Sequence, residues 1–364
     1  MTKKFLYLII LTLFSLEITI HTIYFFKNNS FMWQRGENIL EYDPFYFYKY
    51  KPFVINQVHG YPDKLGTDKY GFIYNFDKNR EIQSNKINIF ILGGSTIEGR
   101  GSSSNSFTIP SNLQKCLQVN FDKNINVINA GYSGFTVLQQ INLYKYFIET
   151  NFEKKINYII FFDGFNDAFY SITSESFGVE GSNYYKYKQF MNESSNLSYV
   201  LNKRLSELSG IYLLFKKIFK INKKNNFHNL DKSNISKNTF DLSILINEFN
   251  EHINDRGIGF MHIIQPYLSD EIKDQTNEEK NLIINYTDRM QFDKKLYFEY
   301  LSNFFSHYVN QNKKNNSYDY RNLFLKEKRT IYFDTVHYND LGNKIIAEKI
   351  CYDFIEKFKQ KSHY

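Results

Sequence analysis

The sequence predicts an α/β fold, a central parallel sheet with helices on both faces, preceded by one apolar helix. Two observations predict it. Three short runs rich in β-branched and aromatic residues, "INIFILGG" (87–94), "INVINAG" (125–131) and "INYIIFFDG" (156–164), follow one another, and each closes on glycine. The stretches between them have a helical period, with Phe107, Ile109, Leu113 and Leu117 along the first and Leu138, Ile141, Tyr144 and Ile148 along the second. Repeated strand–helix–strand units make a parallel sheet, because the right-handed crossover returns the chain to the same edge. The strand ends then converge where such sheets present ligand-binding groups.

In chain order, the first element is "FLYLIILTLFSLEITIHTIYFF", residues 5–26. At 1.5 Å rise this run reaches about 33 Å, enough to cross a hydrocarbon core of about 30 Å. No small-x-small cleavage site follows, so residues 1–27 read as a cytoplasmic tail and an uncleaved transmembrane signal anchor. Lys3 and Lys4 favour a cytoplasmic tail and an extracytoplasmic remainder, a bias that Lys27 and Arg35 blunt. Glu17 and His21 lie four apart on one face, and such groups are costly in lipid without a partner. Residues 28–86 read as a linker and lead-in segment, with turns through Gly60, Pro62, Gly66 and Gly71. A catalytic domain is expected over 87–364. It is interrupted at about 168–240 by a stretch rich in Tyr, Ser, Asn and Lys whose apolar centre is "LSGIYLLFKKIF" (208–219), read as a helical insertion over the sheet edge. Beyond it the pattern gives a helix at 240–254, a strand in "GIGFMHIIQP" (257–266) stopped by Pro266, a long helical region at 277–309, and a loop running into a last amphipathic helix over 330–358.

The net charge of +7 is spread along the chain, and "KKIFKINKK" (216–224) is its one dense basic stretch. Nucleic-acid binding needs a focused patch or a reading motif, and neither is present. Cys116 and Cys351 have no C-x-x-C or metal-ligand spacing. Their helices can pack on one side of a doubly wound sheet, which allows an oxidised pair in an extracytoplasmic domain; two buried free thiols are the expectation from sequence. His, Cys, Asp and Glu do not cluster at metal-ligand spacing, so no metal and no cofactor are implied.

Gly93-Gly94-Ser95-Thr96 sits just past the first strand. Alone it fits a turn, a phosphate cradle or the seat of a nucleophile. The phosphate reading lacks Gly-Lys-Ser/Thr, and Gly93, Gly94 and Gly99 miss the dinucleotide spacing. What favours a nucleophile is the company at the other strand ends: Asn129-Ala130-Gly131, Gly164 with Asn166 and Asp167, and Asp334 with His337. Serine needs a base to take its proton, a carboxylate to hold that base, and donors for the oxyanion. His337 supplies the base, Asp334 three residues earlier fixes its tautomer, and the N–H of Ser95, the N–H of Gly131 and the amide of Asn166 are the candidate donors. Each block has a plainer reading, "DTVH" as a loop with a surface His and "GFND" as a turn in which Asp167 caps a helix. His262, inside its strand, reads as a core residue, and Glu98 as a helix-start charge or a substrate contact.

The blocks "ILGGSTIEG", "NAGYSG", "GFND" (164–167) and "DTVH" (334–337), in this order, resemble the SGNH (GDSL-type) hydrolases, and "NDLGNKIIAEKI" resembles their run into the final helix. The resemblance covers about 87–167 and 257–358. It implies a flavodoxin-like three-layer α/β/α sandwich in which Ser95 is nucleophile and first oxyanion donor, Gly131 the second, Asn166 the third, His337 the base and Asp334 its partner, with Gly94, Gly164 and Asp167 supporting the loops. Gly94 stands where the commonest pattern has Asp, as in the membrane-anchored bacterial envelope members. The implied activity is removal of a small acyl group, acetyl first, from a cell-surface glycan, without a cofactor. An O-acyltransferase acting on an envelope polysaccharide uses the same serine and histidine. A phospholipase, acting on a lipid-like ester substrate, or a thioesterase comes third, and a non-catalytic scaffold for envelope biosynthesis proteins is the alternative of another class. The aromatic stretch "YYKYKQF" (184–190) is suited equally to stacking on sugars and to covering a lipid chain.

Overall fold

The computed structural model describes residues 3–28, 39–58, 64–79, 81–173, 201, 205, 208–212, 235–269, 273–290, 293–313 and 317–359. The chain divides into two compact units, residues 1–39 with 185–225 and residues 40–184 with 226–364. Residues 184–190 and 216–224 lie outside the described residues.

The first unit is built on α1 (Lys3–Asn28), which among the described residues is the helix long and apolar enough to cross a bilayer. Its apolar side chains are bare around most of the circumference, as a lipid-facing helix requires. The hydroxyls of Thr12, Thr19 and Thr22 donate back to the carbonyls four residues earlier, so they need no water.

The second unit opens with a hairpin of β1 (Leu40–Asp43) and β2 (Phe47–Tyr50). Its main sheet has five parallel strands, β3 (Ile87–Gly93), β4 (Ile125–Gly131), β5 (Tyr158–Asp163), β6 (Gly259–Ile264) and β7 (Tyr318–Asp319), in the order β4-β3-β5-β6-β7. Counted along the chain that is 2-1-3-4-5, the flavodoxin-like order the resemblance implied, with the direction of winding reversing at β3. The connecting helices are α2 (Ser95–Glu98), α3 (Ile109–Asn120), α4 (Val137–Leu143, prolonged by a π turn at Tyr144–Ile148), α5 (Phe165–Thr173), α6 (Ile235–Asn254), α7 (Asn277–Met290), α8 (Lys294–Asn312) and α9 (Asp340–Lys359).

Strand alternation sends Ile89, Ile91, Val127, Ile160, Phe162, Met261 and Ile263 to one face, where they pack with Leu113 and Leu117 of α3 and Ile346, Ile350 and Phe354 of α9. The opposite face is aromatic: Phe161 stacks on Phe249 of α6 at 4.7 Å, and Phe90 meets Phe152 at 5.7 Å. Fully burying a side chain of this size is worth about 1.5–3 kcal/mol. The cysteine expectation is corrected here: Cys116 of α3 and Cys351 of α9 form a disulfide, because the two helices lie side by side with their Cα atoms 6.2 Å apart.

Three details differ from the sequence reading. The region 277–309 is two helices, since Asp293 accepts from Leu296 N–H and starts a new one. A fifth strand appears at Tyr318–Asp319, too short for any alternation to announce it. Residues 40–79 are built into the second unit: Ile73 bridges to Asn129 on the outer edge of β4, Asn75 donates to Val127 O at 2.8 Å, and Tyr132 O–H donates to Gly71 O. They cover what would otherwise be an open sheet edge.

Candidate active site

β3 ends at Gly93, and the chain turns at once into the single helical turn α2, with Ile97 and Glu98 N–H both donating to Gly94 O. Ser95 is the first residue of that turn. It stands beyond the strand where the winding reverses, the crevice at which open α/β sheets hold ligands. The turn is possible because residues 93 and 94 lack a side chain. A Cβ on Gly93 would lie 2.5 Å from Ile97 Cγ1 and 2.7 Å from Phe162 O, and one on Gly94 would lie 2.3 Å from Asn166 Nδ2.

His337 arrives from the loop before α9. Ser95 Oγ is 2.6 Å from His337 Nε2, across 242 residues of sequence, and both residues are more than nine-tenths buried. His337 Nδ1 is 2.7 Å from Asp334 Oδ2. The same carboxylate accepts the backbone N–H of Val336 and of His337 at 2.9 Å each, so the loop is wound around its own acid. Burial works to raise the Asp334 pKa, but the His337 charge, its ring N–H and the two backbone N–H groups outweigh it and hold the carboxyl below the usual carboxylate range. An acid held ionised in this way fixes Nδ1 as the protonated nitrogen and leaves Nε2 to accept from serine.

Asn166 comes from the first turn of α5, after Gly164 has turned the chain at φ 107° against the rings of Phe305 and Tyr308. Its Nδ2 donates one hydrogen to Phe135 O at 2.8 Å and lies over Gly94, the residue before Ser95. Asp167 is buried, and both its oxygens accept Val137 N–H at 3.3 Å, which ties α5 to the start of α4. Burial first, and then the charge of Asp163, push the Asp167 pKa well above its ordinary value, against the pull of the Val137 and Asp167 N–H groups.

Ser95, Asp334, His337, Asn166, Gly94, Gly164 and Asp167 therefore meet at one sheet edge. Gly131 does not present its donor there, because its N–H is spent on Asn129 Oδ1 at 3.0 Å. Its bareness serves packing, since a Cβ would lie 2.3 Å from Glu98 N. Three residues on, Gly134 adopts φ 81° in the loop whose Phe135 carbonyl holds Asn166, and its N–H meets no acceptor among the described residues. His262 is a satisfied core residue, bonded to Asp163 and Ser317. Glu98 is fully buried, and, second to burial itself, its charge helps to raise the pKa of the equally buried Tyr50.

The sequence reading missed the groups that hold the His337 loop. Lys273 and Glu279 form a fully buried ion pair at 2.6 Å, and the other Glu279 oxygen accepts Ile331 and Tyr332 N–H. Asp340, in the first turn of α9, accepts Ser103 N–H at 2.9 Å and so draws the loop after α2 toward His337. The acid in a first helical turn was a readable signal; its partner 237 residues away was not. Among the described residues no group of three His, Cys, Asp or Glu is placed to hold a metal ion.

The family described as GDSL-like Lipase/Acylhydrolase matches residues 89–350. Solved structures similar to this chain include an acetylxylan esterase from Geobacillus stearothermophilus (14% identity, 76% of this chain and 95% of that one, TM-score 0.36) and a lipase from a goat rumen metagenome (12%, 73% and 96%, TM-score 0.42). A two-domain esterase active on acetylated mannans is similar over 76% of this chain and 50% of that one, with 14% identity and a TM-score of 0.39. These likenesses are too distant to bear on substrate. A search of curated proteins finds no significant match.

Proposed function

The chain belongs to the GDSL-like lipase/acylhydrolase family and is a serine esterase, and from that premise we propose that Ser95, His337 and Asp334 are its triad and that it removes a small acyl group, acetyl first, from a cell-surface glycan. The observation that carries the triad is the continuous hydrogen-bonded line from Ser95 Oγ to His337 Nε2 and from Nδ1 to Asp334, at 2.6 and 2.7 Å. Ser95 Oγ attacks the ester carbonyl as its proton passes to Nε2. The tetrahedral oxyanion is held by Ser95 N–H, the free hydrogen of Asn166 and Gly134 N–H, which replaces Gly131 in this role. Collapse breaks the C–O bond, and the imidazolium returns its proton to the leaving alcohol. Water, deprotonated by His337, then releases the acid and restores Ser95.

The proposed location is outside the cytoplasmic membrane, tethered by α1. The apolar helix supports it, and so does the Cys116–Cys351 bond, since structural disulfides persist in oxidising compartments. A tethered extracytoplasmic esterase meets glycans before it meets soluble metabolites, and this is what favours a glycan ester. Transfer of the acyl group to a sugar hydroxyl is the second reading, favoured by the burial of Ser95, which limits access of water to the acyl-enzyme.

Three experiments test this. A fluorophosphonate should add once to the wild-type protein and not to Ser95→Ala; full labelling of the variant would remove the assignment. Asn166→Ala should lower turnover of an activated acetyl ester by roughly 10² to 10³, the effect of losing one preorganised donor. His337→Ala should lower it by about 10⁴. A reporter active only outside the cytoplasm, fused after Tyr364, should be active; a fusion active only in the cytoplasm would overturn the location and the glycan reading with it.

A further inference from the structure

Glu17 sits midway along α1, 11 residues from Asn28 and 14 from Lys3, about 16 Å and 21 Å from its two ends. In a spanning helix that is the depth at which an ionisable group most needs a protein partner. Its partner is a distant part of the same chain. Gly210 N–H donates to Glu17 Oε1 at 2.6 Å, Ile211 N–H to Oε2 at 2.9 Å and Ser209 O–H to Oε2 at 3.3 Å. His21 Nε2 lies 3.2 Å from Glu17 Oε1 and 3.2 Å from Leu208 O, so the imidazole bridges the helix to the carbonyl of the approaching strand of chain. Ser209 Oγ in turn accepts Tyr212 N–H.

We propose that residues 208–212 of the insertion form an intramembrane element docked on α1 through Glu17 and His21, so that the chain enters the bilayer twice. The proposal rests on the reading of α1 as a membrane anchor. Backbone that is not yet paired within a helix enters hydrocarbon only where protein satisfies its N–H and C=O groups, and here one carboxylate answers two N–H groups while one imidazole answers a carbonyl. Gly210 has no side chain to hold its backbone away from the helix, the property that makes glycine common where membrane helices meet. The covered stripe is narrow. Glu17 and His21 side chains are 25% and 19% exposed, while neighbouring Phe14 and Ile18 are 64% and 51% exposed and left to lipid. In sequence the segment continues with the apolar Leu213, Leu214 and Phe215 before Lys216. Glu17 and His21 are then the docking groups that let a second, short segment reach bilayer depth.

The test uses the full chain in phosphatidylcholine vesicles with a bimane fluorophore on Tyr212→Cys and, separately, on Leu13→Cys of α1, the native cysteines being oxidised and unreactive. Both probes should be quenched by mid-chain doxyl lipid and shielded from aqueous iodide. Adding Glu17→Leu should transfer the Tyr212 probe to iodide quenching and leave the Leu13 probe in lipid. Iodide quenching at 212 with lipid quenching at 13 in the parent protein would overturn the docking. Iodide quenching at both positions would overturn the anchor and the docking together, and a Tyr212 probe that stays in lipid after Glu17→Leu would remove the carboxylate from the account. Fluorophosphonate labelling of Ser95 in each sample reports the esterase site independently, so neither failure is confused with a failure of the proposed chemistry.

Discussion

Residue 94 cannot carry a side chain without moving Asn166, whose amide nitrogen would lie 2.3 Å from the new Cβ. The amide is the end of a flexible side chain, so the shift is inexpensive for folding and harmful for chemistry. Gly94→Ala should therefore keep its Tm within a few degrees while losing roughly 10² in kcat/KM, and Gly94→Ala with Asn166→Ala should be no worse than Asn166→Ala alone. Additive losses would show that the glycine acts elsewhere. Asp167 invites a pH experiment. Its folded pKa is raised, so stability falls as pH rises above the ordinary carboxylate range, the loss is complete above the folded value, and acid relieves it. Asp167→Asn mimics the neutral acid: it should raise Tm at neutral pH, and the gain should shrink as pH falls. Ser95, Asn166, Asp334 and His337 were legible in the sequence because their chemistry lies in side chains. The proposed second oxyanion donor was not, because it is a backbone N–H, and only the structure shows Asn129 taking the hydrogen of Gly131 and Gly134 at positive φ.

At the scale of elements, the His337 loop is held by the buried pair Lys273–Glu279, with Glu279 accepting from Ile331 and Tyr332. Lys273→Met leaves a carboxylate buried without its counter-charge, a change that costs about 3–5 kcal/mol. A thermal melt should show that loss. In Lys273→Met with Glu279→Met the melt should recover part of it, while kcat stays low, since Ile331 and Tyr332 N–H have lost their acceptor. Full recovery of kcat in the double variant would show that the pair only stabilises. In the main sheet, β3 to β6 and the last helix could be read from period and from the glycine or proline that closes each run. The pair could not, because two charges six residues apart in sequence look like ordinary surface residues until β6 and α7 bring them under the loop. The break at Asp293 was readable as an N-cap and lay hidden inside a long apolar pattern.

For the molecule as a whole, the parallel sheet and its helical layers follow from β-α-β repetition, the strand order only from the family resemblance, and the cysteine pairing from neither, since spacing is silent about which helices become neighbours. The disulfide closes a loop of 235 residues, and breaking it with reductant or with Cys116→Ser and Cys351→Ser should cost about 2–5 kcal/mol, read as a lower Tm of the second unit. An unchanged Tm would mean that the packing of α3 on α9 suffices. The same bond has a consequence for a cleaved chain. The stretch 174–234 lies between Cys116 and Cys351, with Ser95 and Asn166 on its N-terminal side and Asp334 and His337 on its C-terminal side. A protease cut there would leave nucleophile and base on separate polypeptides that travel as one band until thiol is added, so a nicked preparation would be a covalently joined two-chain enzyme, still reactive at Ser95.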